Sequence, residues 1–176
     1  YASLSGTSMA APHVVGLLGL AKAHYPANDW TQLKNLIISS GTPIASLIAT
    51  VSGRRIRAAD QNGQGALTCE NQSVISRLQP LTDTVEVNAG DAFGISMLNI
   101  NCALPAGPLT VTVQETGGQI QLVDNGLQFD QIAGDGIYSA QVDMSLLGLN
   151  RVTLAFSDVT NVVASTIIHY LPAVPV

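Results

Sequence analysis

The residues of this chain that are best suited to catalysis lie at its start, where a serine follows a glycine and precedes an apolar stretch. Gly6 permits a sharp turn of the backbone, and the pattern predicts that Ser8 lies at the start of a helix. Free N–H groups and the positive end of the helix dipole favour negative charge at such a place. Ser8 is therefore suited to attack a carbonyl carbon, with the resulting oxyanion held nearby.

The surrounding stretch is longer and more specific than a helix cap requires. It reads Ser5-Gly6-Thr7-Ser8-Met9-Ala10-Ala11-Pro12-His13-Val14-Val15-Gly16. This stretch resembles the nucleophile motif of the subtilisin-like serine proteases, Gly-Thr-Ser-Met-Ala-x-Pro-His-Val-x-Gly, at every defined position. An ordinary Ser/Thr cap would explain one hydroxyl residue but not the Met, Pro, His and Gly that follow it. The resemblance implies that Ser8 is the catalytic nucleophile of the parent enzyme.

His13 is not predicted to be the catalytic base, although it is close to Ser8 in sequence. A base must reach the hydroxyl and be oriented by a third group, and a residue five positions along the same helix is badly placed. In the resembled family the catalytic residues follow the chain order Asp, His, Ser. Only seven residues precede Ser8, and none is Asp or His. We expect His13 to be structural and an N-terminal part of the catalytic domain, with its Asp, His and oxyanion Asn, to be missing. The chain alone should then be inactive.

The composition is that of a globular chain of low charge. Hydrophobic residues make up 47% of the 176 residues and charged residues only 11%, against roughly a quarter in typical domains. The formal net charge of −5 argues against nucleic acid as a partner. No apolar run is long enough to cross a bilayer. The length allows one domain or two small ones.

Two helices are predicted in the first part of the chain. After Ser8, apolar residues cover all sides of a helix that should end at Pro26, which predicts a buried helix. The second helix has a capping-box spacing between Asp29 and Gln32, and Gly41 should end it. Its apolar face is predicted to contain Trp30, Leu33, Leu36 and Ile37. The resemblance implies that this helix runs through the centre of a parallel α/β sheet. Without that sheet, five side chains would be uncovered and would forfeit on the order of 10 kcal/mol: Val14, Val15, Leu17, Leu18 and Leu20.

Residues 53–59 resemble the closing segment of the same family, which implies a glycine, a short extended piece and a final helix of small residues. The segment contains three arginines, Arg54, Arg55 and Arg57. We predict that they form a solvated strand edge. An acid-binding patch or a processing site is the alternative.

The second part of the chain alternates apolar and polar residues, which predicts strands. The predicted strands are 74–78, 85–87, 93–100, 109–113, 120–123, 137–142, 152–156 and 162–170. Such a series of short strands is typical of a β-sandwich, here predicted to be immunoglobulin-like. The predicted fold class is α+β. Residues 1–70 would be the C-terminal part of a subtilisin-like α/β catalytic domain and residues 71–176 an all-β accessory domain, after a linker-like stretch at 61–65.

Two cysteines, Cys69 and Cys102, are expected to form a disulfide that tethers the sandwich to the protease-like part. Two free buried thiols are the alternative, and a zinc site is not expected because no third Cys or spaced His accompanies them. His24 is predicted to be a solvated residue at the end of its helix, and His169 is predicted to be structural.

An acidic stretch in the second part offers possible metal ligands. Asp124, Asn125, Asp130 and Asp135 could supply oxygen atoms to Ca²⁺, although the spacing does not fit an EF-hand loop. Asp and Asn beside glycine also form tight turns, and turns are the favoured interpretation. We predict no cofactor, with calcium as the open alternative.

The resemblance implies that the intact protein is a secreted, extracellular serine endopeptidase that hydrolyses peptide bonds in proteins or peptides by acyl transfer through Ser8. The alternative belongs to another class: a non-catalytic β-sandwich that binds or stabilises a partner and carries a protease remnant. The upstream reading frame distinguishes the two, because an Asp and a His in subtilisin-like contexts would indicate the enzyme.

Overall fold

The computed structural model describes residues 5–59, 62–88, 90–91, 93–143, 149–157 and 162–171 of the chain. The chain divides into two compact units. Unit 1 contains Tyr1–Val74 and Ile100–Leu104, and unit 2 contains Ile75–Asn99 and Pro105–Val176. Within the described residues, no helix combines the length and the apolar character needed to cross a membrane.

Helix α1 (Thr7–His24) begins directly after the predicted glycine turn. Gly6 is the N-cap, with φ of 149° and ψ of 167°, a conformation that side chains with a Cβ rarely adopt. At the other end, the N–H of Tyr25 donates to the carbonyl of Ala21 at 2.8 Å. The helix therefore begins just before Ser8 and ends ahead of Pro26, as the sequence predicts.

Pro12 lies deeper in α1 than a first-turn proline would. Because the helix begins at Thr7, Pro12 is its sixth residue and belongs to the second turn. Proline has no N–H, so the carbonyl of Ser8, four residues earlier, has no helical partner at this position. The turn that carries the candidate nucleophile is thus held by fewer helical hydrogen bonds than an uninterrupted helix would provide.

One side of α1 is covered by other residues of unit 1. Leu17 is 7% exposed and packs against Ile37 and Ala66. Val14 and Leu18 are half-buried at the same contact. The prediction that five apolar side chains of α1 lack cover is therefore wrong for some of the five, because α2 and the segment around residue 66 cover part of the helix.

The remaining apolar surface of α1 is open among the described residues. Met9 is 43% exposed, Val15 66% and Leu20 48%. Full burial of such a side chain contributes roughly 1.5–3 kcal/mol. The two exposed residues of the original five, Val15 and Leu20, therefore forfeit at most about 3–6 kcal/mol instead of about 10 kcal/mol.

Helix α2 (Trp30–Ser40) begins with the predicted capping box. The Asp29 Oδ1 accepts the N–H of Gln32 at 2.9 Å, and the Gln32 Oε1 accepts the N–H of Asp29 at 3.0 Å. The bond from the Gln32 N–H is the main reason that the pKa of the Asp29 carboxyl lies below its ordinary value. The helix ends at Ser40, directly before Gly41, again as predicted.

The predicted apolar face of α2 is correct except at Trp30. Leu33, Leu36 and Ile37 are buried, whereas Trp30 is 58% exposed. The Nζ of Lys34 lies 5.9 Å from the centre of the indole ring. Trp30 is the first residue of the helix, and it lies exposed beside a cation instead of being buried as predicted.

The closing segment of the protease-like part has strands but lacks the expected helix. Strand β1 (Thr42–Pro43) pairs antiparallel with β2 (Arg54–Arg55), and a 3₁₀ helix at Ala45–Leu47 lies between them. The residues that follow β2, described as far as 59, are not helical. The N–H of Ala66 donates to the Arg57 carbonyl at 3.2 Å. The Arg57 carbonyl thus bonds to a residue outside the segment.

Arg54 is not the solvated edge residue that the sequence predicts. Its Nη1 donates to the Gly41 carbonyl at 3.0 Å and to Gln72 Oε1 at 3.2 Å, and its Nη2 donates to the Ser73 carbonyl at 3.2 Å. Partial burial lowers the pKa of its guanidinium. Arg54 therefore joins the end of α2 to residues 72–73, whereas Arg55 is exposed.

All eight predicted strands are found in or next to their predicted segments. They are β3 (Ser73–Gln79), β4 (Thr84–Asn88), β5 (Phe93–Asn101), β7 (Leu109–Val113), β8 (Gln119–Leu122), β9 (Ile137–Val142), β10 (Arg151–Ser157) and β11 (Val162–Leu171). A further short strand, β6 (Leu104–Pro105), was not predicted. One sheet has the order β4-β11-β10-β7-β8, and the other has the order β3-β5-β6 with β9 also paired to β5.

Both sheets contribute to one hydrophobic core. Its largest fully buried members include Phe156, Leu154, Ile95, Met97 and Leu122, from strands of either sheet. The pairs of the first sheet are antiparallel except for β4 with β11, which is parallel. Alternation alone predicts the strands and their buried faces but not this pairing.

Candidate active site

Ser8 is the second residue of α1 and lies in the turn that Gly6 introduces. Ser8 is exposed. Among the described residues, its hydroxyl makes no hydrogen bond to a histidine or a carboxylate. The structure therefore presents the predicted nucleophile at a helix start but does not bring a base to it.

The start of α1 offers free backbone donors beside Ser8. The N–H groups of Met9 and Ala10 donate to the Gly6 carbonyl at 3.0 and 3.2 Å. The N–H groups of Thr7 and Ser8 have no acceptor in the described part of the chain. The first turn has no acidic side chain, so nothing there repels an anion. Free N–H groups and the helix dipole can hold a developing oxyanion at this position.

His13 is not positioned to activate Ser8. A helix rises 1.5 Å and turns 100° per residue, which places His13 about 7.5 Å along the axis and about 140° around it. His13 is exposed and lines a groove of about 260 Å³ together with Leu20 and Ile56. Its structural role remains a prediction.

The other two histidines lie at positions that suggest no part in catalysis. His24 is exposed at the end of α1, and its ring meets that of Tyr25 edge-on with 4.7 Å between the ring centres. His169 lies in β11 opposite Arg151 of β10. Neither makes a hydrogen bond to Ser8 in the described structure.

Cys69 and Cys102 form a disulfide, with their Cα atoms 5.8 Å apart. The predicted bond is confirmed: it joins Cys69 to Cys102, which directly follows β5. Both cysteines belong to unit 1, and the predicted role of the bond as a tether stays a prediction. They pack against Ala21, Leu33 and Leu36. The disulfide thus supports the packing of the helix that carries Ser8 on the helix behind it.

A buried polar side of α2, which the sequence analysis missed, also contacts the turn at residues 102–103. Ser39 Oγ donates to the Cys102 carbonyl at 3.0 Å, and Asn35 Nδ2 donates to the Ala103 carbonyl at 3.4 Å. Both side chains are fully buried. Their spacing of four residues, which places them on one helix face, is the signal that could have identified them.

The acidic loop, defined as residues 124–136, is built from the turn bonds that the sequence favours. Asp124 Oδ1 accepts the N–H groups of Gly134 and Asp135 at 2.6 and 3.2 Å, and its Oδ2 accepts that of Gly136 at 2.9 Å. Asn125 Oδ1 accepts the N–H of Leu127 at 3.0 Å. Because Gly134 and Gly136 have φ of 74° and 84°, the loop needs glycine at both positions.

The same loop also groups three carboxylates that could hold a metal ion. Oxygen atoms of Asp124, Asp130 and Asp135 lie within 4.8 Å of one another. Asp130 and Asp135 are each only 4% exposed. Asp130 Oδ2 accepts the Gly126 N–H at 2.5 Å, and Asp135 Oδ1 accepts the Ile137 N–H at 2.9 Å. Each carboxylate therefore has a role in the loop, and calcium stays an open alternative.

The similarity of the N-terminal part to known proteases extends beyond the serine motif. Residues 1–72 match the subtilase family. A segment of 46 residues is 46% identical to a thermostable alkaline protease of Halalkalibacterium halodurans. That alignment covers 26% of this chain and 13% of the relative. The similarity thus supports a subtilisin-like protease portion, and it ends two residues after the predicted boundary at residue 70.

Proposed function

We propose that residues 1–70 are the C-terminal part of the catalytic domain of a secreted subtilisin-like serine endopeptidase, with Ser8 as its nucleophile. The observation that carries the proposal is the exposed Ser8 at the glycine-led start of α1, within the segment that matches the subtilase family. The substrates are proteins or peptides. Residues 71–176 form an accessory domain, which we assign to the immunoglobulin-like class.

The chemistry is acyl transfer. Ser8 Oγ attacks the scissile carbonyl carbon while a histidine, oriented by an aspartate, takes the hydroxyl proton. The Ser8 N–H donates to the oxyanion, and an asparagine side chain provides the second donor. The histidine then gives its proton to the leaving amine, and water hydrolyses the acyl-enzyme. The histidine, aspartate and asparagine belong to the N-terminal part of the catalytic domain, which is the partner this chain requires.

The chain alone is therefore inactive. Loss of the triad in subtilisin leaves only about 10³–10⁴-fold catalysis over water, supplied by the oxyanion hole and substrate binding. This chain also lacks the second oxyanion donor and the cleft that the proposal assigns to the other part. Even the residual activity should largely vanish.

The test compares this chain with the longer polypeptide encoded by the preceding reading frame. Both are incubated with a fluorogenic peptide and with a fluorophosphonate probe. The longer polypeptide should hydrolyse the peptide and be labelled, and Ser8→Ala should abolish both, whereas Ser5→Ala, an exposed serine of the same stretch, is the control and should retain them. Ser8-dependent labelling of the chain alone would contradict the proposed division of the catalytic residues.

A second function, a binding module, is favoured by the independent core of unit 2. Among the residues that the structure describes, fourteen buried ones form that core, and none of these belongs to the protease-like segment. The accessory domain can therefore contribute a binding surface of its own.

A further inference from the structure

Unit 2 contains a cleft of about 300 Å³ between β8 and β9 that the proposed protease chemistry does not use. The two strands belong to different sheets and form one side of the cleft each. The loop that follows β8 supplies the remaining wall, including Leu127 and Phe129. The volume is at the low end of the range for ligand sites, about 300–1,000 Å³, and fits a short segment of a ligand.

The cleft exists because the two strands begin to pair and then separate. Val123, directly after β8, exchanges two hydrogen bonds with Ser139 of β9, at 3.0 and 2.9 Å. In the described structure, this isolated bridge is the only β-pairing between the two strands. Beyond it, within the described part of the chain, β8 pairs with β7 alone and β9 with β5 alone. Both strands are therefore sheet edges along the cleft.

The backbone of both edges is oriented towards the cleft at the next positions. In an antiparallel ladder, hydrogen-bonding groups alternate between the two sides of a strand. Val123 and Ser139 bond across the bridge, so the N–H and C=O groups of Gln121 and Gln141, two residues away on each strand, face the same gap. These two residues would be the next bonded pair if the ladder continued. Their backbone groups form complementary donors and acceptors for a third chain.

The edges that line the cleft lack the usual protection against pairing. Natural edge strands are commonly blocked by charged side chains or proline. The outer strands β4 and β3 each carry a charge, Glu86 and Arg77 respectively. Strands β8 and β9, with the sequences Gln-Ile-Gln-Leu and Ile-Tyr-Ser-Ala-Gln-Val, carry none. The edges beside the cleft are therefore open to an added strand.

The walls of the cleft are uncharged and partly fixed. Amide side chains, including Gln121, Gln128 and Gln141, lie beside apolar ones, and none of the described residues that line the cleft is charged. Phe129 packs so closely over Gly94 that a Cβ there would lie 2.3 Å from its ring. Because Gly94 has no side chain, the Phe129 ring can pack against it and form part of the cleft wall. An uncharged ligand with amide groups matches this lining.

We propose that the cleft between β8 and β9 binds an extended, uncharged peptide segment by strand addition. The backbone of the peptide bonds to the outward N–H and C=O groups of Gln121 and Gln141, as in other cases of β-strand addition. Its side chains contact Leu127 and Phe129. A peptide fits better than a sugar because the unpaired groups at the cleft edges are backbone groups in strand register. The proposal does not depend on Ser8.

The probe is an acetylated and amidated octapeptide of alternating threonine and valine, added to the whole ¹⁵N-labelled chain. Binding should shift the backbone amide signals of Gln121 and Gln141. Two N-methylated versions, which block alternate amides of the peptide, are the controls. At least one should bind about three- to tenfold more weakly, as expected for lost hydrogen bonds. The proposal fails if these two amides do not shift or if both methylated peptides bind as tightly as the parent.

Two matched variants test the wall of the cleft. Leu127 and Ile132 are exposed apolar residues of the acidic loop, at 65% and 39%, but only Leu127 lines the cleft. Leu127→Ala should weaken peptide binding by about fivefold, since apolar contact area is lost, while Ile132→Ala should not change it. Equal effects would overturn the assignment. So would shifts produced by a cello-oligosaccharide alone, or by raising the protein concentration alone, which would identify a sugar or a second copy instead.

Discussion

The acidic loop allows a prediction whose magnitude follows from counted hydrogen bonds. Asp124→Ala removes the acceptor of three backbone N–H groups, those of Gly134, Asp135 and Gly136. A hydrogen bond to a charged group contributes about 1.5–3 kcal/mol. Gly134 is exposed, so water can replace its bond, whereas Asp135 and Gly136 are buried. We therefore expect the free energy of unfolding to fall by about 3 kcal/mol.

Two further substitutions calibrate this value. Asp124→Asn keeps one acceptor oxygen, so its cost should be about half that of Asp124→Ala. Asp91→Ala removes an exposed carboxylate that accepts a single bond from Asn88 Nδ2 at 3.1 Å. This control should change the free energy of unfolding by no more than about 0.5 kcal/mol.

The assay is thermal and urea unfolding followed by far-UV circular dichroism. For a unit of this size, 3 kcal/mol corresponds to a fall in Tm of about 12–24 °C. The order of stability should be wild type and Asp91→Ala, then Asp124→Asn, then Asp124→Ala. If Asp124→Ala unfolds together with Asp91→Ala, the loop bonds do not stabilise the fold and the argument from turn chemistry is refuted.

Three other predictions concern calcium, pH and redox state. Tm should be the same in calcium and in chelator, because the carboxylates of the acidic loop already accept loop N–H groups; a large rise in calcium would make them metal ligands. Burial raises the pKa of the Tyr138 hydroxyl, so the unfolded state ionises first and stability should fall as the pH rises above about 10. Tyr138→Phe should flatten that part of the pH profile, and an unchanged slope would contradict the assignment. Reduction of the Cys69–Cys102 bond, which closes 33 residues, should cost about 4 kcal/mol on the entropy model. Non-reducing peptide mapping should recover the two cysteine peptides joined, and quantitative alkylation without reductant would exclude the bond.

Local sequence signals predicted most of the elements because those elements depend on local physics. The Asp29 and Gln32 capping box needs only residues of one turn, and it forms as predicted. Alternating residues predicted eight of the strands because each of them places one face in a shared core. The signal in each case is complete within a few residues of chain.

The errors occur where distant residues decide the outcome. The helix expected within residues 53–59 is absent, and the Arg57 carbonyl accepts a bond from Ala66, outside that segment. Arg54 is held by carbonyls of residues 41 and 73, far from it in sequence. The parallel pair of β4 with β11 joins residues 83 positions apart, such as Thr84 and Ile167. No local pattern in the sequence contains these contacts.

In the candidate site, too, local features were predicted and features that depend on distant residues were not. The motif predicted the glycine turn and the helix start at which Ser8 lies, since these need only neighbouring residues, while the catalytic role of Ser8 stays a prediction. The cleft between β8 and β9 was not predicted, because it arises where two strands from different sheets separate after one bridge. The polar residues Asn35 and Ser39 were also missed, since their burial depends on the turn at residues 102–103.

The proposed inactivity of the chain and its exposed apolar surface both involve helix α1. Val15 and Leu20 are open on the helix that carries Ser8, although an apolar helix normally buries such residues. The base that Ser8 needs is also absent from its surroundings in the described structure. One partner, the proposed N-terminal part of the catalytic domain, would both cover this face and supply the base. Both features of α1 therefore have a single explanation, and the longer polypeptide should protect the α1 amides from hydrogen exchange whenever it makes Ser8 reactive.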